Sequence, residues 1–422
     1  MTVRGTEQLH KIINGGINQM EKLRIGVIGL GNRGHGLMKE VILQMPMVEV
    51  TAVCDAYADR AEEGGRLTQE MCGRLPAVTT DYREVLRRED VDAVVISCAW
   101  ESHIPVAVEA MRAGKAVGME VGGAYSVKQC WDLVDAYEQT GTPFMFLENC
   151  CYGRRELMAL NMVKQGLFGE VVHCRGGYMH DLRTEVGTGC EMRHYRLRNY
   201  IHRNAENYPT HELGPIAKIL GINSGNRMLT LTSMASNAVG MHAYAAERNP
   251  ENKALVNTRF AQGDVVNTII KCAGGETILL TLNTTLPRFY SRDFTVCGTK
   301  GMYEEENDTV FLDQKYSEED EFAFSKYWGN AKEYEKEYDH PIWKSFLNDG
   351  VTGGHGGMDW LVFKAFFVSV LEKRPCPIDV YDAAAWMSIS ALTEESIALG
   401  GQPVAIPDFT NGMWMSREET AL

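Results

Sequence analysis

The segment Leu23-Arg24-Ile25-Gly26-Val27-Ile28-Gly29-Leu30-Gly31-Asn32-Arg33-Gly34 constrains this chain more than any other. Its apolar half reads as a strand buried on both faces, as in a parallel sheet. The glycines fit G-x-G-x-x-G and run into a helix-like stretch, HGLMKEVILQM. Asp55 closes the next apolar strand, VEVTAVCD, about 20 residues past Gly34. Strand, glycine turn, helix and a second strand ending in an acid make a dinucleotide site. Gly29 permits the tight turn, Gly31 lets the backbone approach a pyrophosphate, and Gly34 allows close helix–strand packing. The helix N-terminus offers N–H donors to the anion. Asp55 would accept from ribose hydroxyls and repel a 2′-phosphate, which favours NAD over NADP. Arg33, close by, would soften that preference.

The same grammar continues to about residue 150. Strands DAVVISCA, KAVGME and TPFMFLEN alternate with helices DYREVLRRED, HIPVAVEAMRAG and SVKQCWDLVDAYEQTG, which predicts right-handed β-α-β units. After the helix RRELMALNMVKQG the pattern becomes strand after strand with short turns, the mark of a mostly antiparallel sheet. The 422 residues therefore divide into an N-terminal arm (1–22), a Rossmann domain (23–150) and a substrate-binding α+β domain with an open sheet (151–422). The two closing helices, HGGMDWLVFKAFFVSVLEK and VYDAAAWMSISALTEESIA, are expected to pack back on the Rossmann domain. Residues 183–207 read as a long polar loop, and 314–352 as a surface excursion.

Composition excludes several partners. A net charge of −14 argues against a nucleic-acid groove or an anionic membrane surface. No apolar run approaches the roughly 18–20 residues that span a bilayer. The first residues lack the apolar core of a secretory signal. The 11 cysteines are scattered, without C-x-x-C, as in a reducing compartment. A cytoplasmic location is expected.

His103-Ile104-Pro105, Ala113-Gly114-Lys115-Ala116-Val117 and Glu120 resemble the second fingerprint of the Gfo/Idh/MocA oxidoreductases. Most dehydrogenases of that family read Glu-Lys-Pro at this strand end; this chain reads Glu120-Val121-Gly122, without the lysine. A narrower likeness accounts for the difference. Trp100-Glu101-Ser102-His103, Leu147-Glu148-Asn149 with Tyr152-Gly153-Arg154, Gly177-Tyr178-Met179-His180-Asp181, Tyr208-Pro209-Thr210-His211, Pro287-Arg288-Phe289-Tyr290-Ser291 and Gly354-His355-Gly356-Gly357-Met358-Asp359 resemble glycoside hydrolase family 109. Those glycosidases use NAD, and their first described activity is α-N-acetylgalactosaminidase. By position, the resemblance implies that Asn32, Arg33, Asp55, Trp100, His103, Glu120, Val121 and Asn149 touch NAD. It implies that Tyr178, Arg196, Tyr208, Thr210, His211 and Tyr290 touch the sugar. The chain departs from the pattern at Thr-His-Gly-Leu, where it reads Thr210-His211-Glu212-Leu213, and its first residues are not expected to act as the secretory leader frequent in the family. A homo-oligomer is expected by analogy with the superfamily.

Most glycosidases flank the scissile bond with two carboxylates; NAD-dependent ones are an exception. The implied route is oxidation at sugar C3, loss of the C2 proton, departure of the aglycone from C1, addition of water and re-reduction. His211 is the first candidate base, since imidazole titrates near pH ~6.5 and serves both directions of transfer. Tyr178 is its partner, with Arg196 and Tyr290 as groups that bind hydroxyls or polarise a ketone. Tyr208 and Thr210 complete the expected sugar contacts. Taken without the resemblance, Tyr178 reads equally as a packed strand tyrosine, His211 as a helix-start residue and Asn149 as a cap. No histidine pair or cysteine has metal-site spacing, so no metal is expected; an assisting cation would be sought at His180, Asp181 and Glu212. His355 and Asp359 read either as a sugar border or as a turn and cap. Two other functions stay open: a sugar or inositol dehydrogenase, and a non-catalytic sugar-binding protein.

Overall fold

The structure, a computed structural model, describes residues 22–315 and 324–422. The expected arm 1–22 lies outside the described residues, apart from Lys22. Among the described residues the chain forms two sheets. The first contains β1 (Leu23–Ile28), β2 (Val48–Cys54), β3 (Ala77–Thr79), β4 (Ala93–Ile96), β5 (Ala116–Met119) and β6 (Phe144–Phe146). All are parallel, in the order 3-2-1-4-5-6. Val27, Val94, Val95 and Ile96 are fully covered, each such side chain stabilising the fold by about 1.5–3 kcal/mol. The strand order reverses between β1 and β4, so a crevice opens beyond their C-terminal ends, where ligands bind in such sheets.

The helix Asn32–Glu40 follows β1 directly and ends where Val41 leaves helical geometry (φ −128°); a single 3₁₀ turn, Ile42–Gln44, replaces the rest of the expected helix. Between β2 and β3 lies a helix, Ala58–Cys72, that the apolar pattern does not announce. Apart from Leu67 its buried side is made of small residues, and Gly64 leaves room for the Leu30 side chain. Ser126 caps the helix Val127–Thr140, and Gly141 ends it in the left-handed conformation that glycine adopts without cost.

The second sheet contains β7 (Val171–Met179), β8 (Met228–Ala235), β9 (Val265–Cys272), β10 (Thr277–Asn283), β11 (Thr295–Gly298), β12 (Gly301–Glu304), β13 (Thr309–Leu312) and β14 (Val404–Ala405). Its order is 13-12-11-7-10-9-8-14; β7 and β10 are parallel and the other pairs antiparallel. The helix Val380–Ala398 serves both sheets. Trp386 meets Phe146 of β6 edge-on at 6.3 Å, while Ser396 Oγ accepts from the Ser233 N–H of β8 at 2.9 Å. From the helix Met358–Leu371, Phe366 lies against β5 at Gly118, the strand position without a side chain to block it.

Two segments differ from their sequence reading. Residues 183–207 hold two short helices, Arg183–Gly187 and Arg196–His202, because Val186, Leu197 and Tyr200 turn inward to be buried. In 314–352 the described part folds onto the body as the helices Ala331–Tyr338 and Pro341–Asp349. There Trp343 Nε1–H donates to the Tyr152 carbonyl at 2.8 Å, and Arg154 pairs with Asp339 at 2.6 Å.

One charged joint ties the glycine loop to the far end of the chain. The Arg33 guanidinium donates to both oxygens of Asp359 at 2.8 Å and to Glu120 at 3.1 Å. Asn149 Nδ2 donates to the same Asp359 at 2.7 Å, and His355 Nδ1 lies 2.8 Å from it. Burial alone would raise the Asp359 carboxyl; Arg33 and His355 outweigh it and hold the group well below the usual carboxylate range. A depressed carboxyl contributes stability above its unfolded pKa, about 3.9, and loses it as pH falls through the folded value. Asp359→Asn should therefore cost about 2 kcal/mol at pH 7, discounted because Arg33 is partly exposed and keeps Glu120. The deficit relative to wild type should shrink below about pH 4; chemical denaturation at several pH values measures both.

Candidate active site

The first half of the site is the crevice beyond β1 and β4. Gly29 adopts φ +97°, and a side chain there would overlap the Cys98 backbone. A side chain on Gly34 would overlap the Gly29 carbonyl, so helix and turn pack backbone to backbone. Gly31 is open: the one atom near its missing Cβ is an Arg60 nitrogen, at 3.6 Å. The Asn32–Glu40 helix has no side-chain cap and no acid in its first turn, so its N-terminal N–H groups face a cleft of about 510 Å³. This fits a pyrophosphate.

Asp55 stands where a ribose binder belongs, fixed by N–H donors from Leu30 (2.7 Å) and Tyr57 (2.9 Å). Arg33 is turned away from it, towards Glu120 and Asp359, whereas Arg60 and Arg193 stack over Tyr57 at 5.0 and 4.3 Å. The cations beside Asp55 are thus not the one that proximity in sequence suggested. His103 is buried and neutral: burial pushes its imidazole down to about 4. Its Nε2 lies 2.8 Å from the Cys98 carbonyl, and Nδ1 has no partner. Burial also raises Glu120, against the pull of Arg33. Val121 is buried, and Gly122 gives way to the Trp100 ring. Asn149 is occupied with Asp359. The buried Nδ1 of His103 and the open Gly31 are features a bound nucleotide would use.

The second half is aromatic. Tyr208 lies under Trp100, their rings stacked at 5.4 Å, and against Tyr178 at 4.5 Å. The His211 ring is edge-on to Tyr208 (4.7 Å) and Tyr178 (5.6 Å). The Arg196 guanidinium lies 4.9 Å from Trp100 and 5.0 Å from Tyr208. It pairs with Glu185 at 2.6 Å, leaving a buried Nη1 without a partner. Burial lifts the Tyr178 phenol to about 12 against the pull of Arg196, and its hydroxyl reaches His180 Nδ1 at 3.2 Å. Tyr290 is half-exposed, edge-on to His180 at 5.2 Å. Thr210 is fully covered, and its hydroxyl helps to lower the Glu148 carboxyl. The structure therefore brings Tyr178, Arg196, Tyr208, His211 and Tyr290 together and puts Thr210 behind them. Of the neighbouring arginines, Arg193 pairs with Asp59, Arg198 with Glu101 and Arg203 with Glu394.

Sequence reasoning gave Glu148 no role. It is fully buried after β6, and its Oε1 accepts from His211 Nδ1–H at 2.7 Å and from the Cys150 N–H at 3.1 Å. Burial works against the carboxylate, but the facing His211 outweighs it and lowers the group. An ionised Glu148 fixes the donor on Nδ1 and leaves Nε2 as the acceptor. The signal was an acid closing a wholly apolar strand, TPFMFLEN. Ligand atoms of Glu148, Cys150 and His211 lie within 4.8 Å of one another. Two of them are already hydrogen-bonded together, and burial keeps the Cys150 thiol protonated, so the set reads as a dyad. Of the residues considered for a cation, Asp181 is paired with Arg183 at 2.7 Å and His180 with Tyr178. His355 and Asp359 stand against Arg33.

This is a Rossmann domain joined to an open-sheet domain, with an ordered histidine at the mouth of the crevice. The family profile "Oxidoreductase family, NAD-binding Rossmann fold" matches residues 23–147, and "Glycosyl hydrolase 109, C-terminal domain" matches residues 152–416. The chain belongs to glycosyl hydrolase family 109 and is a glycosidase with an NAD-binding domain. It is 38% identical to a glycosyl hydrolase family 109 protein of Parabacteroides distasonis, over 94% of this chain and 89% of that one. An α-N-acetylgalactosaminidase of Tannerella forsythia is also 38% identical, over 94% and 88%. Among solved structures, levoglucosan dehydrogenase in complex with NADH and levoglucosan superposes with a TM-score of 0.66 at 16% identity, over 92% of this chain and 100% of that one. Scyllo-inositol dehydrogenase from Lactobacillus casei, with NAD(H) and scyllo-inositol, gives 0.63 at 13%, over 92% and 99%. These two share the fold. No described helix is long and apolar enough to cross a membrane.

Gly34→Ala should push the helix off the turn. We expect a loss of about 2–3 kcal/mol and of bound dinucleotide, read by thermal melting and by cofactor content after gel filtration.

Proposed function

We propose that the protein cleaves glycosides by transient oxidation at sugar C3, with NAD retained through the cycle. The observation that carries this reading is the His211–Glu148 dyad, packed edge-on against the Tyr178 and Tyr208 phenols. Displacement by paired carboxylates is less suited to it: Glu148 lies behind His211, and Glu120 lies behind Arg33.

Bound NAD would supply a hydride acceptor for C3 and return the hydride, leaving no net redox change. The glycine loop Gly29–Gly34 and the helix N–H groups would hold its pyrophosphate. Asp55 would take the ribose hydroxyls and disfavour a 2′-phosphate. Trp100, His103, Glu120, Val121 and Asn149 would wall the remainder.

His211 Nε2 takes a proton from the sugar, and Glu148 stabilises the imidazolium through Nδ1–H. The Tyr178 O–H, kept protonated by burial, acts as a donor, and His180 Nδ1 lets it pass a proton on. Arg196 offers its free N–H to a developing enolate oxygen. Tyr208, stacked on Trp100 and against Tyr178, backs the side chains that would face the sugar, and Tyr290 closes the outer side. Because elimination through a C2 carbanion needs no strict anti geometry, both α- and β-linkages are expected substrates. The names of the relatives make N-acetylgalactosaminides and related hexosides the first class to assay.

The test is turnover of aryl glycosides in deuterated water. Deuterium at C2 of the product without accumulating NADH is the expected result. No exchange at C2 overturns elimination, and stoichiometric NADH would mark a dehydrogenase. His211→Ala should lower turnover about 10³-fold with cofactor still bound. Glu148→Gln, which keeps the shape but removes the charge that sets the tautomer, should cost about 10²–10⁴-fold.

A further inference from the structure

The residue after the dyad histidine is a glutamate, where the resembling pattern Thr-His-Gly-Leu has glycine. Glu212 lies in the first turn of the helix Thr210–Ile219 and is 2% exposed. Its stem rests on β7, where a Cβ on Gly176 would come within 2.5 Å of the Glu212 Cβ. The strand glycine therefore makes room for the helix glutamate. Gly176 and Tyr178 alternate onto the same face of β7, so Glu212 sits beside the Tyr178 ring, against which His211, Tyr208 and Tyr290 pack.

The Glu212 Oε1 is buried and has no hydrogen-bond partner. Arg292 is the counter-charge that acts on it most strongly, yet Arg292 pairs with Glu156 at 2.6 Å and has a buried Nη1 that is also unpartnered. A buried carboxyl without a partner is rare and calls for a reason. Interaction with the helix dipole is not one, since an exposed acid in the first turn gives the same benefit without desolvation. A ligand group is a sufficient reason: an acceptor at Glu212 and a donor at Arg292 suit a small group that both donates and accepts.

We propose that Glu212 is a specificity-determining residue whose carboxyl recognises a hydroxyl or amino substituent of the glycoside, in space that glycine would leave to a bulkier acetamido group. This rests on the glycosidase reading of the site above. A hydroxyl satisfies the carboxyl in either protonation state; an acetamido group, though its N–H also donates, brings added bulk into the space that the Glu212 side chain fills.

The test couples variant to substrate. The holoenzyme and its Glu212→Gln and Glu212→Gly variants are assayed for kcat/KM on 4-nitrophenyl hexosides, in 2-hydroxy, 2-amino and 2-acetamido forms with monodeoxy analogues. In wild type, removal of one hydroxyl or amine should cost about tenfold or more, because the site's acceptor is left unpaired. In Glu212→Gly the same removal should cost under about threefold, and the acetamido-to-hydroxyl preference should rise about tenfold. Glu212→Gln should fall between, and it carries the test if the glycine variant does not fold. A uniform drop on all substrates, or ratios unchanged within about twofold, overturns the proposal and leaves the glycosidase reading standing. A wild-type holoenzyme that turns over none of the series overturns both.

Discussion

Arg33 belongs to the glycine loop, yet its guanidinium is bound to two carboxylates outside that loop. Glu120 closes β5 of the same sheet, and Asp359 opens a helix near the other end of the chain. Asn149, just past β6, completes the joint. The loop suited to a pyrophosphate is thereby held in register with β5, with β6 and with the helix Met358–Leu371. Everything downstream needs that register. In the proposed reaction a hydride passes only if the cofactor and the sugar keep a fixed separation. The joint answers this with a bidentate pair, which fixes angle as well as distance.

A second ordered pair, His211 and Glu148, would serve the proposed proton transfer as the first would serve the dinucleotide. Glu148 follows β6 by one residue and precedes Asn149, so adjacent residues serve the two pairs: Asn149 steadies Asp359, and Glu148 orders His211. The helix Thr210–Ile219 brings His211 to Glu148, and the short 3₁₀ turn Asn149–Tyr152 holds the acid. This proximity gives a physical reason for Leu147-Glu148-Asn149 to behave as a unit.

The first sheet was legible because local signals agreed there: apolar strands, glycines needed for backbone contact, and an acid at the right remove. Tyr178, Tyr208, His211 and Tyr290 were legible only through resemblance, since an aromatic residue on a strand or in a loop carries no sign of what it faces. Arg33 misled for an instructive reason. Sequence places it near the ribose acid, but three residues on a tight turn can point three ways, and only the distant Asp359 decides which. The Ala58–Cys72 helix escaped because its inner face, Ala61, Gly64, Gly65, Leu67 and Thr68, has a single large apolar side chain; shape complementarity to Leu30 replaces hydrophobic patterning. The segment 183–207 was judged by its polar majority, although Val186, Leu197 and Tyr200 were enough to fold it inward.

The acidic balance of the chain also takes a different meaning in three dimensions. Several carboxyls are buried, and what each can do follows from its partner. Asp359 and Glu148 stay charged because a cation or an imidazole faces them. Glu206 accepts from the Tyr208 N–H, a neutral donor, and burial lifts it to about 8. Glu212 has no hydrogen-bond donor on its buried Oε1, and burial raises it against the pull of Arg292. Arranged this way, the acids grade from a fixed anion at the cofactor joint to an uncommitted carboxyl beside Tyr178. Fixed charge belongs where geometry must not change; an unpaired acceptor belongs where something arrives. On the proposal that Glu212 meets substrate, the uncommitted end of the series is the functional one, and a single glutamate at that position then carries more information than the net charge of −14.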